Sequence, residues 1–100
     1  MGEAVEVAVI RVEPVGRGRL LALASVELVI GGVRCRLHGL QVLRLRQPDP
    51  DGNAIEVEPP CYRAPDGTWR LAVELPEALH APIADAVLGR CCELGLVRRP

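Results

Sequence analysis

Phenylalanine and lysine are absent from this chain, and its only aromatic rings are Tyr62 and Trp69. Without Phe, a core must be built from Leu, Val, Ile and Ala, each of which buries less area than a ring. In 100 residues that core is small, so a second copy is expected to add burial. With no Lys, all basic charge is arginine, and 12 basic against 13 acidic residues leave a net charge of -1. That balance gives no global attraction to nucleic acid. Ser25 is the only serine, and His38 and His80 are the only histidines. No Gly-x-Ser-x-Gly, phosphate loop or His-Glu-x-x-His occurs, so no enzyme activity is expected. Cys35, Cys61, Cys91 and Cys92 form no Cys-x-x-Cys, and adjacent Cys91 and Cys92 would face different sides of a helix. We therefore expect reduced thiols, no metal site and no cofactor. No apolar run reaches bilayer length and no signal-peptide shape follows Met1. The expected protein is cytoplasmic, with no membrane partner and no evident small-molecule substrate.

What is present reads as one domain over residues 1–100, with a sheet over about 3–75 and a helix over about 82–94. Glu3 to Val12 alternates, with Val5, Val7 and Val9 on one side. Pro14 to Gly18 reads as a turn. Arg19 to Ile30 is apolar on both parities and suits a central strand. Gly31-Gly32 is a hairpin signal, and Val33 to Arg46 alternates again with Gly39 in its middle, where a bulge fits. Ile55 to Glu58 is a short strand. Thr68 to Leu75 is another, with Trp69, Leu71, Val73 and Leu75 on one side and Trp69 expected in the core. Pro82 suits a first helical turn. Ile83, Ala86, Val87, Cys91 and Leu94 then give one apolar stripe, and Gly95 closes the helix. The fold class is α+β: an antiparallel sheet of four to five strands with a C-terminal helix.

The stretch Asp51 to Arg70 is the most distinctive. Asp51-Gly52-Asn53 is a turn, Ile55 and Val57 mark a strand, and Pro59-Pro60 stops it, because proline has no N–H to pair. Pro65-Asp66-Gly67 is a second turn, flanked by Arg63 and Arg70. This order resembles the SpoVG family (stage V sporulation protein G, the septation regulator). Gly18-Arg19-Leu20 with Ala22 to Val26, then His38 with Leu40-Gln41-Val42, and Ile83 to Leu88 are similar to that family's second strand, central histidine segment and C-terminal helix. The resemblance covers most of the chain in order. It implies a homodimer that binds DNA or RNA and regulates gene expression or septation. The family carries basic residues at the start of its helix, where this chain has Glu77 to Pro82. Arg63 and Arg70 match the family.

The electrostatic feature is a row of Arg34, Arg36, Arg44 and Arg46. All share one parity, so a regular strand would place them on one face. Such a row suits phosphates, because guanidinium forks bind them well. A hairpin around Asp51-Gly52 would set Glu56 across from Arg46 and Glu58 across from Arg44, cancelling those two charges. Arg34, Arg36, Arg63, Arg70 and Arg90 are then the expected nucleic-acid-binding residues, with Arg98 and Arg99 adding positive charge. With Trp69 in the core there is no stacking platform for single strands. His38 is expected to bond backbone on a sheet face, and Glu13, Asp49 and Asp51 to be solvated loop acids. The alternative function is a dimeric protein-interaction or structural module without nucleic-acid binding.

Overall fold

The computed structural model describes residues 5–97. Glu3, Arg98 and Arg99 lie outside the described residues. Strands β1 (Val5–Arg17), β2 (Leu20–Ile30), β3 (Val33–Arg44) and β4 (Ile55–Glu58) form one antiparallel sheet in that order. Strands β5 (Cys61–Arg63) and β6 (Trp69–Leu71) form a separate two-stranded sheet, followed by helix α1 (Glu77–Glu93). The class is α+β, as the alternating strands and terminal helical stripe imply.

β2 is central because both its faces are apolar enough to be covered. Ala22, Ala24, Val26 and Leu28 are buried on the helix side, while the odd positions are half-buried. Gly31 and Gly32 make the two-residue turn into β3 with φ of 56° and 80°, a pair of left-handed positions that only glycine adopts without strain. The turn expected at Pro14 to Gly18 is displaced. β1 continues to Arg17, Pro14 pairs with Ala22, and the reversal occurs at Gly18-Arg19. Proline is tolerated there because β1 is an edge strand. Glu13 therefore lies in a strand, 3.4 Å from Arg11, and not in a loop.

Gly39 is the bulge that decides the face of everything after it. Ala24 pairs with Leu40 but Val26 pairs with Leu37, so β3 carries one extra residue between them. Gly39 has φ of 82°. An extra residue inverts parity, and a one-residue slip moves side chains to the other face. Before the bulge, Leu37 faces the helix side; after it, Leu40 and Val42 do, both buried.

α1 closes the core with Leu79, Ile83, Val87 and Cys91, four buried residues at four-residue spacing. It begins five residues earlier than expected, so Pro82 sits inside it. An interior proline removes one helical hydrogen bond and crowds the carbonyl four residues back. Burial of Leu79 one turn earlier offsets that loss. Glu77 favours the positive end of the helix dipole. Leu94 is the C-cap and is exposed, contrary to its place in the expected stripe. The Leu96 N–H donates to the Cys91 carbonyl at 2.9 Å and the Gly95 N–H to Cys92 at 3.1 Å, a double closure just past the helix end.

The strand expected over Thr68 to Leu75 is shorter and lies elsewhere. Only Trp69–Leu71 is extended, and it pairs with β5, not with the main sheet. The reason is the Pro59-Pro60 pair. It stops β4, and the Pro60 ring lies 3.6 Å from where a Cβ on Gly39 would be, so the chain leaves the sheet at the bulge.

Candidate functional site

The β5–β6 hairpin is built around a tight turn. The Gly67 N–H donates to the Ala64 carbonyl at 2.9 Å, with Pro65 and Asp66 in the middle positions of a β-turn. Asp66 then acts as a clamp. Its carboxylate accepts the Thr68 N–H at 2.9 Å, the Thr68 hydroxyl at 2.6 Å and Arg70 Nη2 at 3.1 Å. The Thr68 hydroxyl and N–H, then Arg70, hold the Asp66 carboxyl below the usual carboxylate range. Cross-strand pairing sets Cys61 opposite Leu71, Tyr62 opposite Arg70 and Arg63 opposite Trp69. Each face of the hairpin thus carries one arginine directly across from one aromatic ring.

Trp69 is not in the core. It is 69% exposed and Tyr62 46%. The main core cluster is closed by Ala, Val, Leu, Ile and Cys91 side chains of the main sheet and α1; of Cys61 to Leu71 only Ala64 is buried, outside that cluster. The alternation Trp69, Leu71, Val73, Leu75 suggests a buried face, but the strand that would bury it is absent.

The arginine row does not form one face. Arg34 lies opposite Val29 and Arg36 opposite Glu27, on the side away from α1. Beyond the Gly39 bulge, Arg44 lies opposite Ile55, in line with Val42 and Val57 on the helix side. Arg46 falls past the strand end. The expected pairing with β4 is also corrected. Glu56 is opposite Leu43 and Glu58 opposite Gln41, so neither faces Arg44 or Arg46. The long loop from Leu45 to Ala54 sets this register. The Leu45 N–H donates to Ala54, and the Asp49 carboxylate accepts the N–H groups of Asp51 and Asn53 at 3.0 and 2.8 Å. Asp49 is thus a loop organiser, its carboxyl held below the usual range chiefly by the Asn53 backbone N–H.

Among the expected binding residues, Arg36 meets Glu27 at 3.6 Å, Arg70 meets Asp66 at 3.1 Å, and Arg90 meets Glu93 at 3.1 Å in the last turn of α1. Among the described residues, Arg34 and Arg63 have no carboxylate within ion-pair distance. Arg63 and Arg70 share the hairpin; Arg34 and Arg36 share the outer face of β3; Arg90 stands apart on α1. His38 bonds a side chain and not backbone: its Nδ1 lies 2.8 Å from the Ser25 hydroxyl.

No protein-family model matches the chain, and no curated protein matches it either.

The sequence reading missed an acidic cleft of about 1000 Å³ between β4, the Leu45 to Ala54 loop and the start of α1. Its floor includes Leu40, Ile55, Val57 and Ile83. Asp49, Glu56, Glu58, Glu74 and Asp85 supply its charge, and among the described residues no arginine lines it. Burial, then Glu58, pushes the Glu56 carboxyl above its usual range. These acids are scattered along the sequence, and only the fold brings them together. His80 bonds the Leu75 carbonyl at 3.0 Å, which fixes the segment entering α1. Among the described residues, no group of three or more His, Cys, Asp or Glu could hold a metal. Among the described residues, no helix is long and apolar enough to cross a membrane.

Proposed function

We propose that this protein is a homodimeric nucleic-acid-binding regulator of gene expression or septation, similar to the SpoVG family. The ordered motifs from Gly18 to Leu88 support the family reading. One observation carries the binding reading: the β5–β6 hairpin exposes Arg63 and Arg70 together with both aromatic residues of the chain. Guanidinium groups bind phosphate in forked geometry. Nothing in the core accounts for this concentration of charge and rings on one ribbon.

The dimer reading is supported by apolar residues left uncovered. Val33 is 68% exposed, and Cys35 beside it is also exposed on the helix side of β3. α1 packs against β1, β2 and β4 and leaves the tip of the β2–β3 ribbon open. A C₂ interface there would be self-complementary. Titration with generic DNA and RNA at low salt tests the binding, and light scattering at micromolar concentration tests the dimer. Binding to neither polymer removes the first, and a mass near 10.8 kDa removes the second.

A protein-interaction module without nucleic-acid binding is the second reading, favoured by the acidic cleft. Its carboxylates repel phosphate, while an apolar floor beside the free edge of β4 suits an added chain segment. Co-purifying protein together with no nucleic-acid binding would favour it.

A further inference from the structure

We propose that the β5–β6 hairpin takes single-stranded nucleic acid on its Trp69 face, with a base stacked on Trp69 and a phosphate met by Arg63, while Tyr62 and Arg70 form a second such pair on the opposite face. This rests on the nucleic-acid reading of the same hairpin and names the class of ligand.

Aromatic residues bury more area than any other side chain and normally dominate a core. Here the core cluster holds no aromatic residue, and both rings stand on a ribbon outside it. Trp69 at 69% exposure contributes little to folding, so folding does not account for its place. The ribbon itself is held by its own clamp at Asp66, so the rings are presented on a fixed frame.

The charges sit where a strand would need them. Arg63 is directly opposite Trp69, and no carboxylate pairs with it among the described residues. Its Nη2 lies 4.0 Å from the position a Cβ on Gly67 would take, so the guanidinium runs along the turn. Arg70, opposite Tyr62, shares its charge with Asp66. Arg63 is thus the freer phosphate contact and Arg70 the weaker. A cation and a π-face side by side complement a phosphate and a base side by side. Duplexes hide their base faces in the stack, and single strands expose them. No amide side chain stands on the hairpin, and the polar groups of Asp66 and Thr68 bond each other. Stacking on a ring is open to every base, so binding is tolerant of sequence.

The chain supplies its own probe, because Trp69 is its only tryptophan. The experiment follows Trp69 fluorescence in the full-length protein during titration with oligo(dT), oligo(U) and a DNA duplex of equal length. The expected result is quenching by both single strands and little change with duplex. Trp69→Ala should weaken single-strand binding by roughly 5- to 100-fold, and Arg63→Ala should lower the salt slope by about 1. Circular dichroism of both variants should match the parent, since Trp69 is outside the core. Duplex binding equal to single-strand binding, with no quenching and no effect of Trp69→Ala, overturns the inference and leaves the broader nucleic-acid reading standing. Loss of the dimer in Trp69→Ala without any quenching overturns it too, because the hairpin then serves a second copy. If none of the three polymers binds at low salt, both readings fall together.

Discussion

Replacing Gly39 by alanine tests the feature that sorts the arginines onto two faces. Gly39 has φ of 82°, in the region where an L side chain is strained. Space is not the obstacle: the new Cβ would meet the Pro60 ring at 3.6 and 3.8 Å, ordinary contact distances. The penalty is therefore conformational, about 1–2 kcal/mol for a left-handed non-glycine residue. A smaller unfolded-state gain of about 0.4–1 kcal/mol opposes it. The net expectation is destabilisation by about 1 kcal/mol, or roughly 4–8 °C in Tm for a domain of this size. Gly89 provides the internal control. It lies inside α1, and nothing stands within 4 Å of its missing Cβ. Gly89→Ala should therefore stabilise by about 1 kcal/mol through helix propensity alone. Thermal and urea unfolding of the two variants should thus move in opposite directions. A Gly39→Ala protein as stable as the parent would refute the left-handed bulge, and with it the separation of Arg34 and Arg36 from Arg44.

Glu56 predicts a pH dependence. Its carboxyl is raised by burial first and by Glu58 second, so charging it opposes folding. The favourable contribution is full below the unfolded value and is lost as pH rises through the folded one. Glu56→Gln should therefore stabilise at pH 7, by less than about 1 kcal/mol, and make no difference in acid. Equal effects of the variant at both pH values in urea unfolding would contradict this. The thiols predict an order of reactivity. Cys35 is exposed, whereas Cys91 is fully buried and its thiol is pushed up by burial, then by Cys92. A thiol reagent followed by mass spectrometry should label Cys35 first and Cys91 only on unfolding. Early labelling of Cys91 would contradict the packing of α1.

Much of the fold was legible because its signals are local. The Gly31-Gly32 turn, the Ile55 to Glu58 strand, the closure at Gly95 and the Gly39 bulge all follow from residue type and spacing. The errors arose where a local signal has a distant consequence. A bulge at Gly39 is legible in the sequence, but its consequence, the inversion of parity between Arg36 and Arg44, appears only in the register with β2. Glu56 and Glu58 have the right parity for a strand, but the Asp49-centred loop shifts their register to Leu43 and Gln41. Trp69 alternates with Leu71 like a core strand, and only the Pro59-Pro60 break shows that this strand pairs outside the sheet. Helix propensity made Pro82 an N-terminal marker, whereas burial of Leu79 carries the helix one turn further back. The candidate site was partly legible: Arg63 and Arg70 flank a turn that the sequence announces. The acidic cleft was not, since its carboxylates come from separate segments.

If the hairpin arginines bind phosphate, affinity must fall with salt, and the steepness of that fall counts the contacts. Each phosphate neutralised on a single strand contributes a slope of about 0.7 in log K against log salt. With a net charge of -1 and several arginines already paired, few contacts are available. The predicted parent slope is about 2 to 4, with Kd on the order of 10⁻⁴ to 10⁻⁶ M. Replacing Arg63, Arg70 and Arg90 together should reduce that slope, with Arg63 and Arg70 accounting for most of the loss. An unchanged slope in the triple variant, or no binding by the parent at low salt, would contradict the account.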